Sequence, residues 1–451
     1  MSSLLTRLHV WFNSFLTFRV IPFSAKLGTA YPTAFSWWFL TKPFQGYSKD
    51  CGSRKKCLLV LDKTGLTGDL LEVFPPTNQE VYLITVPRDA IKSVAREFLP
   101  AYLTDVAYLT DDPKDDKAKR NYRDYLMKVW RCYRKLLKID GVLVANYSFY
   151  AERELAAAVE SHKVPFLALH KECVAPPIMW QGYEGNCRDE KGPFTGRAMT
   201  VYNSTWKEIM TRAKVIEKEK IESVGCPRMD VYHRFRSRDR TTNKRLVTLF
   251  SFLPTSGLPY IGGGEKEIPW PEEMLFNGDK WGWNDLARES HRAIIELACE
   301  RPDLSFVIKI KVGRAYLNYI KSLFDFELPD NLEIVQGGEA ENFILESAVI
   351  TGFNSTTLFE GIAAGKPVIV PRFAEAAHEE TACGILELGE AVQWAESKTI
   401  YKELLAKAAD QDPDNTIQLS PHAVEVLEKY VGNGDGLAGQ RMRKFILNWV
   451  N

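Results

Sequence analysis

The sequence predicts an α/β protein made of two consecutive domains, each with a mostly parallel sheet. Short apolar runs recur along the chain and alternate with segments of helical periodicity, which is typical of doubly wound parallel sheets. The alternation stops at a highly charged stretch, residues 232–244, and then begins again. At 451 residues the chain is long enough for two or three domains, each with its own core.

The first half of the chain gives the first set of alternating elements. We expect strands at Lys56–Asp62, Val81–Val86, Val106–Leu109, Gly141–Ala145, Pro165–Leu169, Thr200–Tyr202 and Ile221–Val224. We expect helices at Asp89–Phe98, Asp115–Lys138, Glu152–His162 and Ser204–Ala213. The apolar runs are short and rich in β-branched residues, as in strands buried on both faces.

The second half repeats this organisation after the charged stretch. We expect strands at Arg245–Phe252, Ser305–Lys311, Leu332–Val335, Val349–Gly352 and Pro367–Pro371. We expect helices at Trp283–Arg301, Ala315–Phe324, Ala340–Glu346, Tyr401–Asp410, Pro421–Tyr430 and Gln440–Val450. Two halves of similar pattern, joined by a polar hinge, predict two Rossmann-like domains that face a central cleft.

The domain boundaries follow from these breaks in pattern. Residues 51–238 are expected to form the N-terminal, acceptor-binding domain, and residues 239–436 the C-terminal, nucleotide-sugar domain. Residues 437–451 form a terminal helix, which we expect to pack back on the N-terminal domain. Residues 1–50 precede both domains as a basic, aromatic extension.

This extension has an unusual composition. Residues 1–49 contain five Lys and Arg, no Asp or Glu, and many aromatic residues. Leu4, Leu8, Trp11 and Phe15 recur at helical spacing, which predicts an amphipathic helix. Such a segment suits the surface of an anionic membrane. The alternative is a helix that packs on the body of the protein or on a partner subunit.

Composition narrows the function classes. The formal net charge is zero, so no overall positive field indicates nucleic-acid binding. The eight cysteines are scattered without zinc-site spacing. We expect reduced thiols in a cytoplasmic protein, peripheral on the inner membrane. No apolar run is long enough to cross a bilayer.

The segment Val349–Arg372 carries the strongest functional pattern. Its two apolar runs predict neighbouring parallel strands, and the helix between them opens with four polar residues, namely Asn354, Ser355, Thr356 and Thr357. Free backbone N–H groups and hydroxyls at a helix start can bind a phosphate. Glu360 lies one turn further and is within reach of a ribose hydroxyl. An ordinary capped helix between two strands is the alternative interpretation.

The organisation and this segment together resemble the two-domain, metal-independent glycosyltransferases called GT-B. Within that class, the segments LALHKE (Leu167–Glu172), VGCPRMD (Val224–Asp230) and FVIKIK (Phe306–Lys311) resemble bacterial surface-carbohydrate biosynthesis proteins. Those proteins are related to transferases of 3-deoxy-manno-octulosonic acid (Kdo) and to CDP-glycerol phosphotransferases. The resemblance covers residues 56–371 and implies a transferase for capsule or lipopolysaccharide.

One departure from these families concerns the donor site. In the relatives, the strand that matches FVIKIK commonly ends in a His-Pro pair that contacts the donor. Here Lys309 and Lys311 follow instead, without a histidine. They alternate onto one face of the expected strand and can neutralise the donor phosphates. The donor is therefore a CMP-Kdo-like compound or another nucleotide sugar. Exposed surface lysines are the alternative.

The catalytic groups are expected mainly in the first domain. His170 and Glu172 follow directly on an expected buried strand, where sites of parallel sheets lie. Glu172 is the first candidate for the base that takes the acceptor proton, with His170 beside it or on the substrate. Asp230, after a Gly-Cys-Pro turn, is a third candidate, although it can equally cap the next helix.

Other polar residues are candidates for binding the donor sugar or the acceptor. Asp62, Lys63 and Asp69 frame the loop after the first expected strand, while Arg372 and Glu375 follow the last segment. We expect no metal and no cofactor. Backbone N–H groups near Ser355 and lysines would neutralise the leaving phosphate.

Three functions from different classes remain open at this stage. The first is a glycosyltransferase that moves a sugar from a nucleotide donor to a growing cell-surface polysaccharide or a lipid-linked glycan. The second is a sugar-nucleotide epimerase of the same double-Rossmann fold, which needs no acceptor. The third is a catalytically inactive scaffold of a polysaccharide assembly complex, which the missing His-Pro pair allows.

Overall fold

A computed structural model describes residues 2–48, 56–63, 65–236, 245–261, 266–267, 270–323, 327–411 and 418–450. The chain forms two compact units. Unit 1 contains Met1–Cys173, Tyr183–Arg228 and Leu437–Asn451, and unit 2 contains Val174–Gly182 and Met229–Gly436. Each unit is built on one large sheet with helices between its strands. The prediction of two Rossmann-like α/β domains with an N-terminal helical extension is confirmed.

Unit 1 contains a seven-stranded sheet. Its strands are β1 Lys42–Pro43, β2 Lys56–Asp62, β3 Val81–Pro87, β4 Gly141–Val144, β5 Phe166–Leu169, β6 Ala198–Val201 and β7 Ile221–Ser223. Their order is β1-β3-β2-β4-β5-β6-β7, and all neighbours are parallel except β1, which pairs antiparallel with β3. The central strands β4, β5 and β6 are buried along their whole length, as their continuous apolar runs predict.

The helices of this part of the chain form the N-terminal extension or connect the strands. They are α1 Ser2–Phe15, α2 Ile21–Lys26, α3 Ala30–Leu40, α4 Leu66–Val73, α5 Arg88–Phe98, α6 Pro113–Leu136, α7 Tyr150–Glu160, α8 Met179–Asn186 and α9 Ser204–Arg212. A π-helical turn, Leu16–Val20, joins α1 to α2. Helix α8 contains residues of both units.

The longest helix, α6, shows why the sequence folds this way locally. Asp112 caps it by accepting a hydrogen bond from the backbone N–H of Lys114 at 2.8 Å, and Pro113 occupies the first helical position. Acidic residues lie in its first turn and basic residues in its last turn, which matches the helix dipole. Its apolar side chains recur at helical spacing and are buried.

Unit 2 contains a six-stranded sheet and a small two-stranded ribbon. Its strands are β8 Leu246–Phe250, β9 Tyr260–Ile261, β10 Lys266–Glu267, β11 Ser305–Ile310, β12 Leu332–Gln336, β13 Val349–Gly352, β14 Val368–Pro371 and β15 Gln393–Ala395. Its helices are α10 Asp230–Arg236, α11 Asn284–Glu300, α12 Arg314–Ser322, α13 Ala340–Glu346, α14 Thr356–Ala363, α15 Lys398–Asp410 and α16 Pro421–Val431. The final helix, α17 Ala438–Val450, belongs to unit 1.

The order of the large sheet of unit 2 is β12-β11-β8-β13-β14-β15, and every pair is parallel. The first strand of this sheet, β8, therefore lies in its middle. The strands β11 and β12 follow on one side of β8, and β13, β14 and β15 follow on the other side. This is the strand order of dinucleotide-binding Rossmann domains. The order reverses between β8 and β13, so the ligand crevice of such a sheet is expected at their carboxyl ends.

The N-terminal extension is held on unit 1 through α3 and α6. The hydroxyl groups of Thr33 and Tyr125 are 2.7 Å apart, and those of Thr41 and Tyr133 are 2.6 Å apart. Trp37 is buried and packs edge-on against Tyr133, with the ring centroids 5.8 Å apart. Of the helices in the described part of the chain, none is long and apolar enough to cross a bilayer.

Several small elements differ from the predictions. Helix α4 begins at Leu66, within the segment expected to be a loop. Val106–Leu109 is not a strand, because the backbone N–H groups of Tyr108 and Leu109 both donate to the carbonyl of Glu190 at 2.8 Å instead of joining a sheet. The edge strands β1 and β15 escaped prediction because they have only two and three residues. Too few residues repeat in such strands to give a periodic pattern.

Candidate functional site

The candidate site of unit 2 lies where β13 ends and α14 begins, beside the carboxyl end of β8. Ser355 is the N-cap of α14, with extended backbone angles, and its hydroxyl oxygen accepts a hydrogen bond from the N–H of Thr357 at 3.4 Å. The hydroxyls of these two residues are 2.9 Å apart. Residues 354–357 are all half-buried, whereas residues 358–363 are buried. The helix start therefore remains accessible while the rest of the helix belongs to the core.

Asn354 fixes the loops around this helix start. Its amide NH₂ donates to the carbonyls of Ser256 and Gly384, at 3.2 and 2.8 Å, and its carbonyl oxygen accepts from the N–H of Leu386 at 3.0 Å. Its φ of +46° is one that asparagine tolerates better than most residues. A Cβ on Gly257 would lie 2.4 Å from the Asn354 amide nitrogen, so only glycine fits there. The predicted phosphate ligand Asn354 thus also bridges two loops.

Lys309 brings a positive charge to the same edge of the sheet. It is only 8% exposed, and its Nζ donates a hydrogen bond to the carbonyl of Ile310 at 3.4 Å. Within the part of the chain that the structure describes, no carboxylate lies within ion-pair distance of its ammonium group. Burial lowers the pKa of Lys309 below its usual value. A buried ammonium without a carboxylate partner indicates a place for an anion.

Register places this lysine near the start of α14. Lys309 pairs with Phe250 of β8, and Phe250 pairs on its other side with Gly352 of β13. Two interstrand spacings separate the Cα atoms of Lys309 and Gly352, or about 10 Å. A lysine side chain and a phosphate can bridge that separation. Lys311 differs: it lies beyond the end of β11 and is exposed, with its Nζ 5.8 Å from the ring centroid of Tyr316.

The other predicted donor residues have partners within unit 2. Glu360 is buried, and its carboxylate accepts a hydrogen bond from the Tyr232 hydroxyl at 3.2 Å. The carboxylate of Glu375 accepts from the N–H groups of Asp285 and Leu286, both at 2.8 Å, and so caps α11. Arg372 is exposed, with its guanidinium carbon 5.7 Å from the ring centroid of Trp394.

Sequence reasoning missed a histidine beside this edge. Ser251 directly follows β8, and its hydroxyl lies 2.9 Å from Nε2 of His291 on α11, while Nδ1 of His291 lies 2.6 Å from the Ala287 carbonyl. Because the carbonyl can only accept, Nδ1 carries the proton and Ser251 donates to Nε2. Burial lowers the pKa of His291 to about 4, so the ring is neutral near pH 7. No local motif marks this pair, since its members are forty residues apart.

Asp230 lies in unit 2 rather than with the other predicted catalytic residues. It is the first residue of α10, is buried, and accepts a hydrogen bond from the side-chain amide of Asn433 at 2.7 Å. A buried and hydrogen-bonded carboxylate is poorly placed to reach a substrate, so these contacts disfavour the predicted catalytic role of Asp230.

In unit 1 the carboxyl ends of β2, β4 and β5 bring together several of the predicted residues. The strand order reverses between β2 and β4, so this sheet also has a switch point, at Lys63 and Asn146. Asp62 is exposed and Lys63 is half-buried, with its Nζ 5.5 Å from the Phe149 ring centroid. Glu172 is exposed just beyond β5, where its carboxylate is accessible to a substrate.

His170 has a different environment from Glu172. It is 3% exposed, its Nδ1 lies 3.2 Å from the Asn146 side-chain oxygen, and its Nε2 has no hydrogen-bond partner among the described residues. Burial, with the nearby charges of Lys191 and Lys171, lowers its pKa to about 3. A ring with so low a pKa is a weak base near pH 7. Of these two predicted residues, Glu172 is the better placed proton acceptor.

Positive charge gathers at the start of α4. The left-handed backbone of Gly65, with φ of +88°, leaves room for Lys171, whose Nζ lies 2.6 Å from where a Cβ on Gly65 would be. Burial lowers the pKa of Lys171, and the charges of Arg228 and Lys63 add to that shift, whereas Glu172 opposes it. Lys63, Lys171 and Arg228 therefore form one lysine–arginine cluster. Of these three residues, only Lys63 is a site residue predicted from the sequence.

The carboxylate of Asp69 holds Arg228 of this cluster in place. It is buried, and its carboxylate accepts hydrogen bonds from the Tyr202 hydroxyl at 2.9 Å and from the N–H of Arg228 at 3.1 Å. The Arg228 guanidinium lies 3.5 Å from the same carboxylate. The predicted acceptor-binding residue Asp69 is thus occupied in holding Arg228.

A second buried ion pair lies at the carboxyl end of β3. Arg88 pairs with Glu152 of α7, and its guanidinium stacks over the Phe149 ring, 3.7 Å from the centroid. Burial raises the pKa of Glu152 to about 7, although Arg88 opposes that shift. One carboxylate oxygen of Glu152 and one guanidinium nitrogen of Arg88 have no further partner among the described residues. Sequence reasoning missed this pair as well.

The described residues contain no group of three or more His, Cys, Asp or Glu side chains that could hold a metal ion. The candidate site of each unit is instead composed of lysine, arginine and hydroxyl side chains, backbone N–H groups and single carboxylates. Chemically, such a set can bind phosphate groups and accept a proton.

No protein-family model matches the chain, and no curated protein matches it in sequence. Solved structures with a similar arrangement include UDP-GlcNAc 2-epimerase from Neisseria meningitidis, bound to UDP-GlcNAc. It has 14% sequence identity and a TM-score of 0.46, and the match covers 87% of this chain and 100% of that chain.

Two further solved structures are similar. UDP-GlcNAc 2-epimerase from Methanocaldococcus jannaschii has 16% identity and a TM-score of 0.46, covering 87% of this chain and 100% of that chain. An alpha,alpha-trehalose-phosphate synthase (UDP-forming) from Burkholderia vietnamiensis has 11% identity and a TM-score of 0.43, covering 88% and 99%. At these identities and TM-scores, the similarities carry no argument about activity.

Proposed function

We propose that this protein is a glycosyltransferase of the GT-B type, which moves a sugar from a nucleotide-activated donor to a glycan. The observation that carries the proposal is the switch point of the unit 2 sheet. There the accessible, hydroxyl-bearing start of α14 and the buried ammonium of Lys309 lie at one edge of the sheet. Both features favour an anionic ligand, and a nucleotide diphosphate or monophosphate is the anion that such a sheet edge commonly binds.

In this proposal, unit 2 binds the donor. The N–H groups of the first turn of α14 and the hydroxyls of Ser355 and Thr357 contact the phosphate oxygens. Lys309 neutralises the charge that develops on the leaving phosphate, so the reaction needs no divalent metal ion. Lys311 follows β11 and Arg372 follows β14. Both side chains are exposed and supply further positive charge for the donor.

Unit 1 supplies the acceptor site and the base. Glu172 accepts the proton of the acceptor hydroxyl as that oxygen attacks the anomeric carbon, the arrangement expected for an inverting transfer. The lysine–arginine cluster of Lys63, Lys171 and Arg228 binds an anionic part of the acceptor. The acceptor class is a growing cell-surface polysaccharide or a lipid-linked glycan, at the cytoplasmic face of a membrane.

The donor class can be tested first, without an acceptor. Thermal unfolding is measured with CMP, CDP, UDP and GDP in turn. The nucleotide that raises the transition temperature identifies the donor class. A nucleotide at a hundred times its dissociation constant should stabilise the fold by about 2.7 kcal/mol. If none of the four nucleotides shifts the transition, the donor-site proposal fails.

The reaction can then be tested with sugars on the nucleotide so identified. Nucleotide release that requires an added glycan acceptor, and that falls in Glu172→Gln, supports transfer. Release or isomerisation of the sugar without any acceptor would identify an epimerase instead. If Ser355→Ala and Glu172→Ala each leave polysaccharide synthesis intact in a complementation assay, the protein is a scaffold.

A further inference from the structure

The N-terminal extension has an outward face that the protein does not cover. Exposed large apolar side chains are concentrated there: Leu8, Val10, Trp11, Phe12, Phe15, Phe18, Phe23, Leu27, Tyr31, Phe35, Trp38 and Phe39. Trp11 is 62% exposed and Phe23 is 64% exposed. Scattered exposed apolar residues are ordinary, but so dense a set within residues 8–39 marks an interaction surface. We call this set the aromatic face.

The same helices have a second face that anchors them. Leu16, Ile21, Ala34 and Trp37 are buried against the rest of unit 1. Helix α2 also contacts α5, and α3 contacts α6. The extension is therefore a platform fixed to the unit 1 body, and its aromatic face is what remains after that packing is complete. Packing on the body, the alternative left open by the sequence, does not account for these exposed side chains.

The charge of the platform selects among apolar partners. Residues 1–48 include Arg7, Arg19, Lys26 and Lys42 and contain no Asp or Glu. Arg7, Arg19 and Lys42 are exposed, and Lys26 lies 3.5 Å from Glu97 of α5. Aromatic side chains flanked by basic residues, without acidic ones, complement the interface of a bilayer that contains anionic phospholipids.

An apolar groove opens beside the aromatic face. Its volume is about 1180 Å³, and its lining includes apolar residues of the platform and of β3 together with charged residues, namely Val10, Phe18, Trp38, Phe39, Ile84, Lys42, Lys56, Asp89, Lys138 and Asp140. The apolar part of its lining continues the aromatic face into the protein and suits the hydrocarbon part of a lipid, while three lysines against two aspartates leave its charged part basic.

We propose that the aromatic face binds the interface of an anionic phospholipid bilayer, with the helices lying in the membrane plane. The aromatic side chains insert at the level of the headgroups, and the arginine side chains contact lipid phosphates. Binding of this kind is peripheral and depends on salt, because its electrostatic part is screened. The inference does not depend on the sugar chemistry of the two units.

The test is sedimentation of the full-length protein with phospholipid vesicles. Wild type should bind vesicles of phosphatidylcholine mixed with phosphatidylglycerol, and it should bind pure phosphatidylcholine at least tenfold more weakly. The double variant Trp11→Ala/Phe23→Ala and the charge reversal Arg7→Glu/Arg19→Glu should each weaken binding at least tenfold. All four residues are exposed, so these variants should fold, which circular dichroism and thermal unfolding verify.

Matched controls come from unit 2. Val312→Ala/Ile400→Ala removes exposed apolar side chains, and Lys321→Glu/Lys407→Glu reverses exposed charges. Both should bind vesicles like wild type. The proposal is overturned if wild type does not sediment with anionic vesicles, or if the platform variants bind as well as the controls. It is also overturned if the aromatic face instead joins two copies of the chain, seen as a lipid-free dimer that Trp11→Ala/Phe23→Ala dissociates.

Discussion

The hydroxyl of Ser251 donates a hydrogen bond to Nε2 of His291 at 2.9 Å, in the buried layer beneath the carboxyl end of β8. The two residues hold the first strand of the unit 2 sheet against α11. The Nδ1–H group of His291 donates to the Ala287 carbonyl. Nε2 therefore depends on the Ser251 hydroxyl for its hydrogen bond. A buried pair of this kind stabilises mainly because losing one partner leaves the other unsatisfied.

Ser251→Ala should therefore reduce the free energy of unfolding by about 1–3 kcal/mol, the cost of an unsatisfied buried nitrogen. The matched control is Ser290→Ala on the same helix. Ser290 is fully buried, but its hydroxyl has no partner among the described residues, so its removal should be neutral or stabilising. Urea unfolding of both variants measures the difference. Equal losses in the two variants would contradict the role of the pair.

Buried histidines should make the fold sensitive to acid. Burial lowers the pKa to about 3 for His170 and to about 4 for His233 and His291. An unfolded histidine has a pKa of about 6.5, so between about pH 6.5 and 4 the unfolded chain binds protons that the folded chain does not. Stability is therefore retained above about pH 6.5 and lost as the pH falls below it.

At about pH 5 each of these histidines should reduce the free energy of unfolding by about 2 kcal/mol relative to pH 7. Urea unfolding across this pH range measures the slope. His291→Gln should have a shallower slope than wild type, whatever its stability at neutral pH, because one titrating group is gone. A slope identical to that of wild type would show that folding does not shift the pKa of His291.

The sequence predicted those parts of the molecule whose signal is local. The longer strands of both large sheets have apolar runs of four to seven residues, and the hydroxyls at the start of the Ser355 helix are visible in the sequence itself. Each of these features depends on neighbouring residues, so periodicity and capping preferences were sufficient to find it.

The rest depends on pairs that are distant in sequence. Glu375 caps a helix ninety residues earlier, Arg88 pairs with Glu152, and Asp69 holds Arg228 across 159 positions. A carboxylate that will cap a distant helix looks the same in a sequence as one that will bind a sugar. For this reason the acidic candidates Asp69 and Glu375 were predicted as ligands, whereas the structure shows them accepting hydrogen bonds from the protein.

Substitution of Asn354 should lower the free energy of unfolding for two separable reasons, the loss of hydrogen bonds and backbone strain. Asn354→Ala removes the hydrogen bonds to the Ser256 and Gly384 carbonyls and puts a less tolerant residue at a φ of +46°. We expect a loss of about 2–4 kcal/mol in the free energy of unfolding. Asn354→Gly keeps the backbone angle without strain and should recover about 1 kcal/mol of that loss. If the alanine and glycine variants unfold alike, backbone strain is not part of the role of Asn354.

Lys309 offers the sharpest separation between stability and ligand binding. Its ammonium is buried without a carboxylate partner in the described part of the chain, so Lys309→Met replaces a costly charge with an apolar chain of similar length. The free protein should become more stable, by about 1 kcal/mol or more. If Lys309 instead served only to hold the fold together, the same substitution would destabilise the protein.

Nucleotide affinity should change in the opposite direction. A hydrogen bond to a charged group contributes about 1.5–3 kcal/mol, so loss of the Lys309–phosphate contact should weaken binding about tenfold to a hundredfold. Lys311→Met is the comparison, because Lys311 is exposed beyond the end of β11 and screening of its charge by water should make its loss weaken binding less than the loss of Lys309. Calorimetric titration with the nucleotide found in the thermal screen measures both. Should Lys309→Met bind that nucleotide like wild type while Lys311→Met binds it poorly, the exposed lysine would be the phosphate ligand and the buried one would not.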